Sequence, residues 1–262
     1  MSEGMLTEDK KRLNQVSSIL VSQPKPVNSK SPYIQLADKF DIKIDFRPFI
    51  QIDPVDIKEF RKQKIDILSH SAVIFTSRNA VDHFFRLATA SKVEIPSDMK
   101  YYCISEQTAN YLQKYIVIRK RKIFTGSRTA AELIEVLKKH KNEKFIFPCS
   151  NIRKDDIPNF LRENGYDYSE AIIYRTVASD LSDLANVNYD IIAFFSPSGI
   201  NSLFVNFPDF KQNNTRIAVF GPTTARAARE AGLILDIEAP LPNAPSMTGA
   251  LELYIKAAND IN

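Results

Sequence analysis

The chain repeats itself, and one repeated piece lies at the opposite end from its partner, which restricts how two like domains can be assembled from it. VIFTSRNAV at 73–81 aligns with IAFFSPSGI at 192–200, pairing Phe75 with Phe194, Ser77 with Ser196 and Val81 with Ile200. ISEQTA at 104–109 aligns with FGPTTA at 220–225 and sets Thr108 against Thr224. SRTAAELIEVL from Ser127 aligns with PSMTGALELYI from Pro245, placing Leu133 against Leu251 and Leu137 against Ile255. Matches at a nearly constant offset mark a duplication. The fourth unit, 145–176, instead resembles 19–49, so one of the two copies is split across the ends of the chain.

Short β-branched and aromatic runs (ILV at 19, AVIF at 72, YYCI at 101, FIF at 145, IIAFF at 191, RIAVF at 216) alternate with stretches whose apolar residues recur at helical spacing, such as Val81, Phe84, Phe85 and Ala88. That alternation predicts parallel sheets with helices on both faces. The fold expected is α/β: two doubly wound, flavodoxin-like domains joined by a two-stranded antiparallel linker. The expected limits are 17–48 with 176–262 for the discontinuous domain and 49–175 for the continuous one. Residues 1–16 are expected to form a disordered lead-in. The chain should cross between domains in strands around Phe46 and Tyr174, which act as a hinge. If the domains face each other across it, their strand ends line one cleft.

Length and composition agree with two domains: 262 residues, 44% hydrophobic and 25% charged, with no apolar run long enough to span a bilayer. The N-terminal residues lack an apolar signal core. Cys103 and Cys149 lie in apolar strand contexts without CxxC spacing, as small core residues of a reducing compartment would. A soluble cytoplasmic monomer is expected, with no membrane partner. The net charge of +4 is mild and scattered, so nucleic acid is not expected as a partner, and RKRK at 119–122 reads as a solvated loop. GxGxxG, GxxxxGK[ST] and HExxH are absent, and His70, His83 and His140 are isolated. Chemistry is left to Tyr, Ser, Thr and basic side chains, which suits a protein that positions a reactive substrate.

The strand-to-helix junctions are where a ligand is expected. There the first turn of a helix presents unpaired N–H groups and the positive end of its dipole, a setting for carboxylate or phosphate. Ser77, Ser196, Ser198, Thr108, Thr223 and Thr224 add hydroxyls at these junctions. The same residues are also standard helix caps, and both readings stand for each. Arg78, Asn79, Asn151, Arg153 and Lys154 follow strand ends and have the reach to contact a ligand, although Asp155 and Asp156 partly offset Lys154.

FTSRNAV, FPCSN, IIYRTVA, FFSPSG and FGPTTARAAREAGL, in this order, resemble the uroporphyrinogen-III synthase family over about residues 17–258. The resemblance implies a split two-domain architecture and an enzyme, a hydro-lyase of tetrapyrrole and heme biosynthesis that closes hydroxymethylbilane into uroporphyrinogen III with inversion of ring D. It implies no metal and no cofactor. Tyr174 falls on the family's tyrosine in the crossing strand, where a phenol can assist departure of the hydroxyl; otherwise it is a half-buried strand tyrosine. Thr108 falls on the family's cleft threonine, and Ser77, Asn79, Asn151, Ser196, Ser198, Thr223 and Thr224 are the further substrate-binding candidates. Ser105 and Ser150 stand where the family commonly has glycine, and Glu106 adds a negative charge. A non-catalytic tandem module that holds a tetrapyrrole or other polyanion is the alternative.

Overall fold

The computed structural model describes residues 12–28 and 30–259. By contact density they divide into two compact units, one running up to Gln51 and resuming at Val177, the other Ile52–Thr176. In chain order the strands are β1 (Ser18–Val21), β2 (Lys43–Phe46), β3 (Ile50–Pro54), β4 (Ala72–Phe75), β5 (Lys100–Cys103), β6 (Ile123–Thr125), β7 (Phe145–Ser150), β8 (Tyr168–Ala178), β9 (Ile191–Phe194), β10 (Arg216–Phe220) and β11 (Leu235–Ala239). The helices are α1 (Pro32–Phe40), α2 (Ile57–Lys62), α3 (Arg78–Ala90), α4 (Glu106–Tyr111), α5 (Ala130–Leu137), α6 (Asp156–Glu163), α7 (Pro197–Asn206), α8 (Pro222–Glu230) and α9 (Met247–Asn259).

The strands form two sheets, ordered β11-β10-β9-β1-β2 and β3-β8-β7-β4-β5-β6. Within the first, β1 with β2 and β9, and β10 with β9 and β11, pair parallel; within the second, β4 with β5 and β7, β5 with β6, and β7 with β8 do likewise. The repeated segments occupy matching places. β4, β5 and β6 correspond to β9, β10 and β11, while β7 and β8 correspond to β1 and β2, so these five strands have the same spatial order in both sheets, with β3 added at one edge of the second, although the chain visits them from different starting points.

The central strands are buried along their length because helices cover both faces of each sheet. On the second sheet Val81, Phe84 and Ala109 pack with Phe75 and Tyr101 on one face, while Leu133, Leu137, Ile157 and Leu161 pack with Phe145 and Phe147 on the other. On the first sheet Leu36, Leu251 and Ile255 form one layer and Ile200, Leu203, Ala225 and Ala228 the opposite one. Gly126, between β6 and α5, permits a close approach: a Cβ there would lie 2.9 Å from the Leu133 amide nitrogen.

The structure departs from the sequence reading at two places. Phe46 belongs to β2, in register with Val21, and the chain passes between units in β3 instead. Pro48, with no N–H to donate, stands between β2 and β3. Residues 1–11 of the expected lead-in lie outside the described residues, but 12–16 are packed: Arg12 Nε bonds Asp236 at 2.6 Å, the Val16 N–H donates to Asn259 at 3.0 Å, and Val16 is buried. RKRK is exposed apart from half-buried Lys122, whose ammonium reaches the Ser97 carbonyl. Cys103 and Cys149 are buried, and burial pushes both thiols up to about 12. No helix among the described residues is long and apolar enough to cross a membrane.

Leu133 and Leu251 hold equivalent, fully buried places in the two copies. Leu133→Ala and Leu251→Ala should therefore each lower stability by about 2–5 kcal/mol in chemical denaturation. A cost well under about 1 kcal/mol at either position would break the equivalence.

Candidate functional site

The carboxyl edge of the second sheet carries a cavity of about 690 Å³. β4 delivers Thr76 and Ser77 to it, and β7 delivers Ser150. The ladder between β7 and β8 shifts register between Cys149 and Ser150, which sets Ser150 opposite Tyr174. Ser77 caps α3, its Oγ accepting the Ala80 N–H at 3.0 Å, and the same Oγ lies 3.3 Å from the Tyr174 hydroxyl. Tyr174 is 8% exposed and borders the cavity. Burial raises its pKa above 10, with the Ser77 bond opposing only part of that shift, so the hydroxyl remains a donor at neutral pH.

The rim is basic. Arg128, from the turn before α5, and Lys154, from the turn before α6, line the cavity, and neither forms an ion pair among the described residues. Arg153 pairs with Glu170 and lies 3.5 Å from Asp155, while its Nε is buried without a hydrogen-bond partner. The N-terminus of α5 already holds a carboxylate: Glu132 accepts the Arg128 and Thr129 N–H groups at 2.8 and 2.9 Å, which pulls its carboxyl down to about 2. A smaller cavity of about 350 Å³ adjoins the ends of β5 and β6, and Arg128 borders both openings.

The residues expected from the sequence separate into groups. Ser77, Tyr174, Arg153 and Lys154 meet at the larger cavity. Asn79 is exposed in the first turn of α3, and Arg78 lies 5.4 Å from the Tyr111 ring. Thr108, buried at the third position of α4, has its hydroxyl 3.3 Å from Ser105 Oγ, the cap of that helix. Asn151 turns its Oδ1 to the Thr176 N–H at 2.9 Å, and Ser150 donates to the same oxygen at 3.0 Å. In the other unit Ser196 caps α7 through the Gly199 N–H at 3.2 Å, and Ser198 is half-buried in the first turn. Thr223 is exposed at the second position of α8 and Thr224 buried at the third. Gly221 caps α8 with φ at 85°, whereas its counterpart Ser105 is extended at −154°, so the two turns differ in backbone path as well as residue.

Arg128 was not singled out from the sequence, although its place just before a helix matches that of Lys154. His83 was read as isolated, but its ring stacks on Tyr174. His70 bonds the Asp66 carbonyl and Ser169, and His140 packs on Phe124, both as structural residues.

Parallel sheets with hydroxyl turns, a protonated phenol and basic residues at a carboxyl edge define an α/β protein with a strand-end site suited to an anionic ligand. The family model for uroporphyrinogen-III synthase (HEM4, HemD) matches residues 31–249, and the chain belongs to that family. It is 26% identical over 174 residues to the uroporphyrinogen-III synthase of Saccharomyces cerevisiae, a match covering 58% of this chain and 63% of the yeast protein. The crystal structure of uroporphyrinogen-III synthetase from Helicobacter pylori is similar in fold, with a TM-score of 0.58 at 20% identity over 94% of this chain and 100% of that one. A mutant uroporphyrinogen III synthase from Thermus thermophilus gives a TM-score of 0.55 at 15% identity, covering 93% of this chain and 99% of that one.

Because the folded pKa of Tyr174 lies above its ordinary value of 10, its contribution to stability is complete below pH 10 and is lost as pH rises through the folded pKa. The tyrosinate absorbance missing from Tyr174→Phe should titrate with a midpoint above 10. A midpoint at or below 10 would show an exposed phenol. Ser77→Ala should cost about 1 kcal/mol of stability through the lost cap and move that midpoint further up, since the opposing hydrogen bond is gone.

Proposed function

We propose that this chain is a uroporphyrinogen-III synthase, a lyase of porphyrin biosynthesis that converts hydroxymethylbilane into uroporphyrinogen III with loss of water and inversion of the last pyrrole ring. One observation carries the reading: a buried, protonated phenol, Tyr174, opens on a cavity rimmed by Arg128, Arg153 and Lys154. Loss of the terminal hydroxyl makes the bilane electrophilic by its own chemistry, so the protein has to steady the leaving oxygen and hold the chain in the geometry that leads to inversion. Tyr174 donates a hydrogen bond to that oxygen; its raised pKa makes it a hydrogen-bond donor in preference to a full proton donor. The substrate's carboxylates meet the basic rim in charge-assisted hydrogen bonds.

Ser77, Asn79, Thr108 and Asn151 are assigned to carboxylate-bearing arms of the substrate, and Ser196, Ser198, Thr223 and Thr224 are the binding candidates of the other unit. Each unit is read as a doubly wound, flavodoxin-like domain, supported by the strand order of the five-stranded sheet. The domain limits 17–48 with 176–262 and 49–175 lie within a few residues of the division by contacts. We read β3 and β8 as the antiparallel linker: the Val55 N–H bonds the Ile173 carbonyl at 3.1 Å and the Ser179 N–H bonds the Phe49 carbonyl at 2.9 Å, so one strand's numbers fall as the other's rise. The enzyme is taken to act as a cytoplasmic monomer without nucleic acid.

The test is direct. Purified protein is given hydroxymethylbilane, and the oxidised products are resolved into isomers I and III. Isomer III well above the spontaneous background is expected, and isomer I alone would leave a binding module. Tyr174→Phe should slow isomer III formation by roughly ten- to a thousandfold at an unchanged melting temperature; wild-type turnover would remove the phenol from the chemistry. Thr108→Ala, Thr224→Ala and Ser196→Ala should each reduce turnover only partly, because backbone donors share the anion grip. Complete loss in any one, with folding intact, would mean a discrete catalytic group.

A further inference from the structure

Helix α3 supplies more to Tyr174 than its cap. The imidazole of His83 stacks on the Tyr174 ring, with centroids 5.1 Å apart and planes 25° from parallel. Arg86, one turn further along the same helix, donates from Nε to His83 Nδ1 at 3.3 Å. Its Nη2 donates to the Val55 carbonyl at 2.6 Å and reaches the Ile173 carbonyl at 3.4 Å. The Ile173 carbonyl belongs to the peptide that leads into Tyr174. One guanidinium therefore ties down both the backbone beside the tyrosine and the ring stacked on its side chain, while Ser77 meets the phenol at the far end.

This use of an arginine is specific. Among the described residues no carboxylate forms an ion pair with Arg86; its donors go to two carbonyls and an imidazole nitrogen. A nitrogen that accepts from a guanidinium is unprotonated, so the His83 proton sits on Nε2 and the ring is neutral. Burial, reinforced by the charge of Arg86, lowers the His83 pKa and keeps the ring in that state. His83 is not among the residues that line the cavity, and its contact there is with Tyr174, so it acts through the residue it touches.

We propose that His83 and Arg86 are positioning residues that fix the rotamer of Tyr174, holding its hydroxyl at the cavity beside Ser77. The proposal rests on the reading of Tyr174 as the hydrogen-bond donor to the leaving oxygen. Its physical basis is that a donor held within a few tenths of an ångström is effective, whereas one displaced by about 1 Å loses on the order of a hundredfold in rate. Among the described residues the phenol tip has a single hydroxyl contact, at the long distance of 3.3 Å, so orientation depends on what grips the ring.

The experiment is a double-mutant cycle with a second, non-kinetic readout. His83→Ala and Arg86→Ala should each lower kcat for isomer III by about tenfold with KM within about twofold, and His83→Phe, which keeps a stacking ring, should recover at least about half of the rate. In a Tyr174→Phe background His83→Ala should cost less than about twofold further, because the group it aims is already gone. His83→Leu, which retains volume without a ring, replaces His83→Ala if the latter does not fold. The tyrosinate midpoint assigned to Tyr174 should fall toward 10 in His83→Ala as the ring becomes mobile and hydrated. Equal losses from His83→Ala with and without the phenol, or wild-type kcat in His83→Ala, would overturn the proposal. If Tyr174→Phe itself turns over like wild type, the catalytic reading of Tyr174 fails; the tyrosinate midpoint still decides whether His83 holds the ring, and an unshifted midpoint overturns that as well.

Discussion

Every strand that feeds a helix in this protein must satisfy the unpaired N–H groups of the helix's first turn, and the rest of the site depends on how that is done. In a parallel sheet those first turns collect along one edge. Ser77, Ser105 and Ser196 answer with hydroxyl caps, Thr129 answers with a reciprocal box completed by Glu132, and Gly221 caps with a left-handed backbone and no side chain. The requirement is local, but its consequence is that hydroxyls, amides and helix dipoles collect at the edge where open parallel sheets generally bind ligands.

Capping and anion binding draw on the same donors, and the caps engage them differently from turn to turn. At α5 the cap is complete and negatively charged, since Glu132 occupies the place an external carboxylate would take. At α4 the Thr108 hydroxyl is engaged with Ser105. At α3 the Ser77 hydroxyl serves the helix and Tyr174 together, so one cap also meets the phenol at the cavity. Arg128 and Lys154, the long side chains at the rim, form no ion pair among the described residues, and they supply positive charge where the caps supply direction.

Duplication explains why the two units answer the same requirement in related but unequal ways. Five strands of each sheet share one spatial order, yet the pair Ser105 and Gly221 shows that the copies have diverged at the turns while keeping equivalent core residues such as Leu133 and Leu251. Core positions are held by volume and packing density, which tolerate little. Turn positions need only a donor or a permissive backbone, so they are free to change.

The sequence by itself determined the class of fold and the family. Alternating periodicities, a repeated offset and one displaced repeat are one-dimensional patterns that a parallel α/β chain must carry, and the caps Ser77 and Ser196 were legible because strand-to-helix turns have a local chemistry. The edge of β3 was misread at Phe46, since a strand that pairs within one sheet and a strand that crosses have similar composition. Likewise 12–16 look like a polar lead-in until Arg12 finds Asp236 more than 200 residues away. Only the tertiary structure decided that Tyr174 meets Ser77, that Thr108 turns to Ser105 and not to the larger cavity, and that His83, isolated in the sequence, stacks on the phenol. The contacts of Tyr174 join α3 and β8 through rotamers and ladder register, and a one-residue shift such as that beside Ser150 changes which side chains face one another.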